Sequence, residues 1–182
     1  SAIRLDKNLG KAEAIRFGVS HIIKNFNNIS FIAYLDSDLS TPLNEIPRLI
    51  NLALIENPQA KFISGIRLQR AGSIIQRSYF RHIISRLFST FSSLLLKLDY
   101  YDTQCGCKIF DIQIGKEIFL EKFLTRWLFD IEIYLRMRKK NMEENVIEIP
   151  LTLWKETSGS KIKIIDFLLV PLLIIKLFFY YK

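Results

Sequence analysis

The sequence predicts an α/β fold, a sheet covered by helices, on three observations. Short apolar runs alternate along the chain with segments of helical period; the runs end on polar or charged residues; and no repeat or linker interrupts the alternation. A length of 182 residues suits one domain with a substantial core. With 49% hydrophobic residues, seven glycines and five prolines, disordered and low-complexity classes are excluded.

Element by element, Ala14, Ile15, Val19, Ile22 and Ile23 recur at helical spacing after the turn-like Asn8-Leu9-Gly10, which predicts a helix from Lys11 to Phe26. Phe31–Leu35 reads as a strand that stops at Asp36-Ser37-Asp38. Thr41-Pro42 then supplies an N-cap and a first-turn proline for a helix to about Ile55. Phe62–Ile66 reads as a second buried strand, Ser73 to Lys97 as one long helix, and Lys108–Phe110 as a short strand. Helices follow near Gln113–Lys122 and Asp130–Lys140, with a last strand over Val146–Leu153. In such a sheet ligands are expected outside the carboxyl ends of the strands.

A formal charge of +8 favours anionic partners. Two cysteines, Cys105 and Cys107, exclude a disulfide-stapled scaffold, and two distant histidines leave zinc without a ligand cluster, so any metal is expected on oxygen. Ser1 opens polar sequence with no basic-then-apolar leader, so no signal peptide is expected.

Four segments carry chemistry. Asp36-Ser37-Asp38 sits where a strand ends, so both carboxylates can reach one hard cation bridging phosphate oxygens; a turn and helix-capping role is the other reading. From Asn57 to Leu98 there is no acidic residue, while Lys61, Arg67, Arg70, Arg77, Arg81, Arg86 and Lys97 are basic. Arg77 and Arg81, four apart on the expected helix, can share one phosphate, or can belong to a solvated face. No nucleic-acid-binding motif accompanies these charges. Asp102-Thr103-Gln104-Cys105-Gly106-Cys107-Lys108 is a polar knot whose glycine permits close approach of the backbone. Arg126-Trp127-Leu128-Phe129-Asp130-Ile131-Glu132 places two carboxylates at a helix start, where each can simply interact with the helix N-terminus.

In this order, these segments, with Asn8-Leu9-Gly10-Lys11, Gly65 with Arg67, Gln76 to Arg81, and Trp154 with Gly159-Ser160-Lys161, resemble the GT-A, family 2 glycosyltransferases that load a sugar onto a polyprenyl phosphate. The likeness is strongest to the dolichyl-phosphate β-glucosyltransferases. It implies a Rossmann-like mixed sheet flanked by helices over residues 1–161. Asp36 and Asp38 would hold Mg²⁺ or Mn²⁺, Lys11 and Arg67 would join them at the donor, and Asp102, Asp130 and Glu132 would lie near the reacting centre. Arg77, Arg81, Gln104, Lys108, Arg126 and Trp127 would bind phosphate or acceptor.

The implied reaction is inverting transfer of glucose from UDP-glucose to a polyprenyl phosphate. Mannosyl transfer from GDP-mannose, or an inactive membrane-bound module, are the alternatives. The family's opening strand, with its Pro-x-Tyr-Asn-Glu-like segment, does not precede Ser1, which predicts an N-terminally truncated domain. Ala12 and Ser40 stand where relatives often have glycine and glutamine. Residues 162–182 are strongly apolar, broken by Lys163, Asp166, Pro171 and Lys176, and are expected to lie in a membrane interface. The active site would then face the cytoplasm, at the endoplasmic reticulum in a eukaryote or the inner membrane in a bacterium.

Overall fold

The computed structural model describes the backbone of residues 2–157 and 164–182, and their side chains apart from those of 80, 81 and 164–168. Gly159, Ser160, Lys161 and Lys163, the boundary at 161/162 and the side chain of Arg81 lie outside the described residues.

Four strands form one mixed sheet in the order β1 (Phe31–Leu35), β4 (Cys107–Asp111), β2 (Phe62–Ile66), β5 (Val146–Pro150). β4 runs antiparallel to both β1 and β2, while β2 and β5 are parallel. Because side chains alternate across a strand, the sheet has two covered faces. Ile32, Tyr34, Phe62 and Phe110 point to the side of α1 (Lys11–Asn25), α4 (Ile112–Ile118) and α5 (Phe129–Lys139). Ile63, Cys107, Ile109 and Ile149 point to the side of α2 (Glu45–Glu56), which seals them with Leu49 and Ala53. Phe62 and Phe110 stack at 4.7 Å between ring centroids, a cross-strand pair fixed by the register Phe62↔Phe110.

The register also builds the functional end of the sheet. Leu35 pairs with Cys107 and Ser64 with Lys108. The residues that follow β1 and β2, Asp36 and Arg67, therefore emerge beside the loop that precedes β4. The backbone seals this junction, the Asp36 N–H donating to the Gly106 carbonyl at 2.9 Å.

Several expected boundaries move. The helix expected from Ser73 begins only at Tyr79, as α3 (Tyr79–Leu96). Ile74–Gln76 is instead a strand, β3, pairing in parallel with β6 (Leu153–Lys155) as a separate two-stranded sheet. The single strand expected over Val146–Leu153 is thus two. Local period cannot reveal a partner some eighty residues away. α2 starts at Glu45, because Thr41-Pro42 forms a turn in which the Glu45 N–H donates to the Pro42 carbonyl; Pro47, in the first helical turn, is the tolerated proline. α4 ends at Ile118 rather than Lys122.

The C-terminal helix α6 (Ile164–Tyr181) packs on α3 and α5, burying Val170, Ile174 and Leu177 in the core that holds α5. Among the described residues no helix is long and apolar enough to cross a membrane.

Candidate active site

The site grows from the ends of β1 and β2. Asp36 lies half-exposed where β1 stops, and its Oδ1 pairs with the Lys11 ammonium at 2.7 Å. Lys11 begins α1 directly after Gly10, whose φ of 91° lies in the region that glycine enters without strain. The Lys11 ammonium also stands 3.9 Å from Asp130 Oδ2. Burial works against its charge, but Asp130 and Asp36 outweigh burial and hold its pKa above the ordinary lysine value.

Asp130, buried near the start of α5, accepts a 2.5 Å hydrogen bond from the Tyr34 hydroxyl and lies 3.7 Å from the Lys108 ammonium. Tyr34 and Lys108 are register partners on β1 and β4, so the sheet itself delivers both to Asp130. Asp36, Lys11, Asp130, Lys108 and Tyr34 therefore form one connected polar cluster at the strand ends.

Gly106 closes this cluster from the side. A Cβ placed there would fall 1.9 Å from Asp36 Oδ2 and 2.2 Å from its Cγ, so only glycine lets the loop lie flush against the carboxylate. Asp38, two residues on and exposed, accepts from the Ser40 N–H (2.9 Å) and hydroxyl (2.7 Å) and from the Thr157 hydroxyl (2.7 Å). Desolvation works against its charge, but the donors from Thr157 and Ser40 together outweigh it and hold its pKa below the usual carboxylate value.

Behind the cluster, Asp102 and Arg67 form a bidentate pair. The guanidinium donates to Asp102 at 2.8 and 2.7 Å, and the Arg67 N–H adds a 3.1 Å bond. Burial disfavours the Asp102 charge, but Arg67 overrides it and pushes the pKa down to about 2. Arg67, expected at the donor, thus spends its fork on Asp102, and Asp102, expected at the reacting centre, is held ionised at neutral pH. Together they brace the loop that carries Gly106. Lys108 is fully buried, and its ammonium donates to the carbonyls of Thr103 (3.0 Å) and Cys105 (2.7 Å). It supports the same loop from below. Gln104 is half-buried, with its Nε2 unpartnered among the described residues. Burial pushes the Cys105 thiol up to about 11 and raises that of Cys107, which disfavours the thiolate at both.

Expected placements change at Glu132 and Arg77. Glu132 is not brought to the cluster: two residues beyond Asp130 on a helix, it faces away. It accepts from the Leu124 N–H at 2.9 Å, from Arg136 at 3.0 Å and from the Tyr181 hydroxyl at 2.8 Å. That ties the loop before α5 to α6. Replacing Glu132 with Gln is expected to cost about 1–2 kcal/mol, read in thermal unfolding, with nucleotide affinity unchanged. Arg77 does not share a helix with position 81 as a four-residue pair, because α3 is entered only after the extended N-cap residue Ser78. Its guanidinium donates to the Ser85 hydroxyl at 2.5 Å. Trp127 is half-buried, 6.5 Å from the Phe88 ring, whereas Arg126 is exposed beside Gly10.

Four residues were not singled out as site residues from the sequence. Tyr34 read as core and Thr157 carried no signal. Ser40 was legible only as a departure, and Glu148 sits inside a strand pattern. The Glu148 carboxylate accepts from the N–H groups of Tyr101 (2.6 Å) and Asp102 (3.0 Å), anchoring that loop.

No model of a known protein family matches the chain. Curated relatives named dolichyl-phosphate β-glucosyltransferase do. One from Trichomonas vaginalis is 26% identical over 178 residues, 96% of this chain and 52% of the relative. One from Dictyostelium discoideum is 28% identical over 163 residues, 88% and 47%. One from Homo sapiens is 30% identical over 164 residues, 88% and 48%. The chain spans about half the length of the curated relatives it matches. Among solved structures, glucosyl-3-phosphoglycerate synthase from Mycobacterium tuberculosis with UDP superposes with a TM-score of 0.62 at 10% identity, covering 100% of this chain and 56% of that one. The same enzyme with Mn²⁺, UDP-glucose and glycerol 3-phosphate gives 0.60 at 10% identity, with the same coverage. These neighbours share the GT-A fold with the chain.

Proposed function

We propose, for a chain related in sequence to the dolichyl-phosphate β-glucosyltransferases and folded as a GT-A glycosyltransferase, that it transfers glucose from UDP-glucose to a polyprenyl phosphate with inversion. The observation that carries this reading is the cluster at the strand ends, where Gly106 lies flush against Asp36 and Lys11 links Asp36 to Asp130. The relatives' names favour glucosyl over mannosyl transfer.

A divalent ion fits this end of the sheet. Its donors are hard carboxylate oxygens, and a cation, the Lys11 ammonium, already sits on Asp36. Among the described residues no group of three or more His, Cys, Asp or Glu is placed to hold a metal. Asp36 and Asp38, the carboxylates at the end of β1, would supply the protein's share, as suits Mg²⁺ or Mn²⁺. When bound, the ion neutralises charge on the departing diphosphate.

The chain's own residues do the remainder. Lys11 offers a second positive charge beside Asp36, and Asp130 with the Tyr34 hydroxyl keeps it aimed there. Arg77 and Arg126 are the arginines proposed to meet acceptor phosphate. In the transfer, a phosphate oxygen of the lipid forms the bond to the anomeric carbon as the bond from that carbon to the diphosphate oxygen breaks, releasing UDP. That phosphate is anionic at neutral pH, so no carboxylate has to take a proton, which agrees with Asp102 being held ionised by Arg67. Catalysis then rests on positioning and charge stabilisation. The enzyme is proposed to work at a membrane surface, with residues 162–182 in the interface.

Asp38→Asn keeps acceptor atoms for Ser40 and removes the charge. It is expected to weaken Mn²⁺-dependent UDP binding by about tenfold or more while the exposed site changes stability by about 0.5 kcal/mol or less. Calorimetry with and without chelator checks it, and unchanged binding overturns the metal assignment.

A further inference from the structure

On the face of the sheet that α5 covers, one row of side chains differs in kind from the next. Ile32, Phe110, Phe62 and Val146 are neighbours in register and make an apolar row across all four strands. Two residues nearer the site the row is Tyr34, Lys108, Ser64 and Glu148, one hydrogen-bonding side chain from each strand. Tyr34 and Lys108 serve Asp130. Glu148 ends the row on β5, at the opposite edge of the sheet from β1 and so three strand spacings, about 14 Å, from the strand that carries Asp36.

Glu148 is half-buried and spends both carboxylate oxygens on backbone. Oε2 accepts from the Tyr101 N–H at 2.6 Å and Oε1 from the Asp102 N–H at 3.0 Å. Among the described residues no other side chain accepts from an N–H of the 100–106 loop. The cations around this loop grip different atoms. Arg86 donates to the Tyr101 carbonyl at 2.9 Å and lies 4.0 Å over its ring, Arg67 holds the Asp102 carboxylate, and Lys108 takes the carbonyls of Thr103 and Cys105. Two adjacent N–H groups suit a carboxylate, which has an acceptor at each end, whereas an amide turns its own donors towards the second N–H. Burial, with the Asp102 charge beside it, outweighs the two N–H bonds and Lys108 and raises the Glu148 pKa above the ordinary glutamate value. At neutral pH the charge therefore costs stability, and what it supplies is a fixed backbone at Tyr101 and Asp102.

That backbone leads to the site. Four residues beyond Asp102, Gly106 meets Asp36 twice: its carbonyl accepts the Asp36 N–H at 2.9 Å, and its Cα lies where a methyl group would strike the Asp36 carboxylate. We propose that Glu148 is a positioning residue for the donor site, acting through the 101–106 loop to seat Gly106 against Asp36 from the far edge of the sheet. The inference rests on the donor-site reading above and adds to it a residue that touches neither Asp36 nor Asp38.

The test uses Glu148→Gln, which keeps the size of the side chain and one of its two acceptors. Amide hydrogen exchange, followed residue by residue without nucleotide, is expected to be about tenfold faster at the Asp36 N–H, with the N–H groups of β2, the strand beside Glu148, unchanged. Calorimetry below the unfolding midpoint is expected to show Mn²⁺-dependent UDP affinity lowered about tenfold. In a Gly106→Ala background, where the loop is already unseated, Glu148→Gln is expected to cost little more. Glu148→Asp, with both oxygens one methylene short, is measured alongside and is expected to give the same pattern with smaller losses. Exchange at Asp36 that stays at the wild-type rate, loosening confined to β2 and β5, or an equal loss of affinity with and without Gly106→Ala each overturns the proposal. Wild type that binds no UDP would overturn the donor-site reading instead, and exchange at Asp36 would still decide whether Glu148 seats the loop.

Discussion

Replacing Gly106 with Ala is expected to reduce Mn²⁺-dependent nucleotide binding about a hundredfold, the largest loss of ligand affinity among the single substitutions considered. A methyl group at that position meets Asp36 Oδ2 at 1.9 Å and Cγ at 2.2 Å, far inside van der Waals contact. Two responses are open. The Asp36 side chain can swing away, which breaks its 2.7 Å pair with Lys11 and removes a carboxylate from the metal. Otherwise the 102–106 loop lifts, which strains the hydrogen bond from the Asp36 N–H to the Gly106 carbonyl and pulls on the Lys108 ammonium beneath. Either response degrades the donor site while the fold survives with about 1–3 kcal/mol of overpacking cost. Calorimetric titration of Mn²⁺ with UDP, together with thermal unfolding, measures both. Native affinity in the alanine variant would show that Asp36 is not needed where the structure puts it.

The second large effect concerns stability. Arg67→Ala leaves the Asp102 carboxylate buried without its bidentate partner, and the expected cost is about 3–5 kcal/mol in denaturant unfolding. Asp102→Asn keeps an oxygen acceptor for the Arg67 fork but leaves that guanidinium without its counter-charge, so it too is expected to destabilise. The folded pKa of Asp102 is depressed to about 2, below its ordinary 3.8, so the pair contributes stability that is present above about pH 4 and lost as pH falls towards about 2. The advantage of wild type over Asp102→Asn should therefore shrink across that window. An advantage that stays constant from neutral pH to about pH 2 would mean that Asp102 is not held ionised by Arg67.

Much of the fold was legible because its elements are locally determined. The strand 31–35 ending on Asp36, the strand 62–66 ending on Arg67 and the helix starting at Lys11 each announce themselves by period and by a polar stop. β3 and β6 were not legible. Ile74–Gln76 has no pattern of its own to distinguish it from the start of the helix that follows, and it is a strand only because Leu153–Lys155 lies alongside. The candidate site divides in the same way. Asp36 and Asp38 stand out by spacing at a strand end. Asp130 and Glu132 look equivalent in sequence, since both open a helix, yet one meets Tyr34 and Lys11 and the other meets Arg136 and Tyr181. Arg67 and Asp102 read as separate ligands for substrate because their partner in each case is the other, 35 residues away.

Asp36, Asp38 and Lys11 are proposed to build a metal-dependent site for a uridine nucleotide sugar. Titration of UDP-glucose and of GDP-mannose into the protein, each with Mn²⁺ and again with chelator, tests it most directly. The expected result is UDP-glucose binding that requires Mn²⁺ and exceeds that of GDP-mannose; binding unchanged by chelator, or a preference for GDP-mannose, would contradict it.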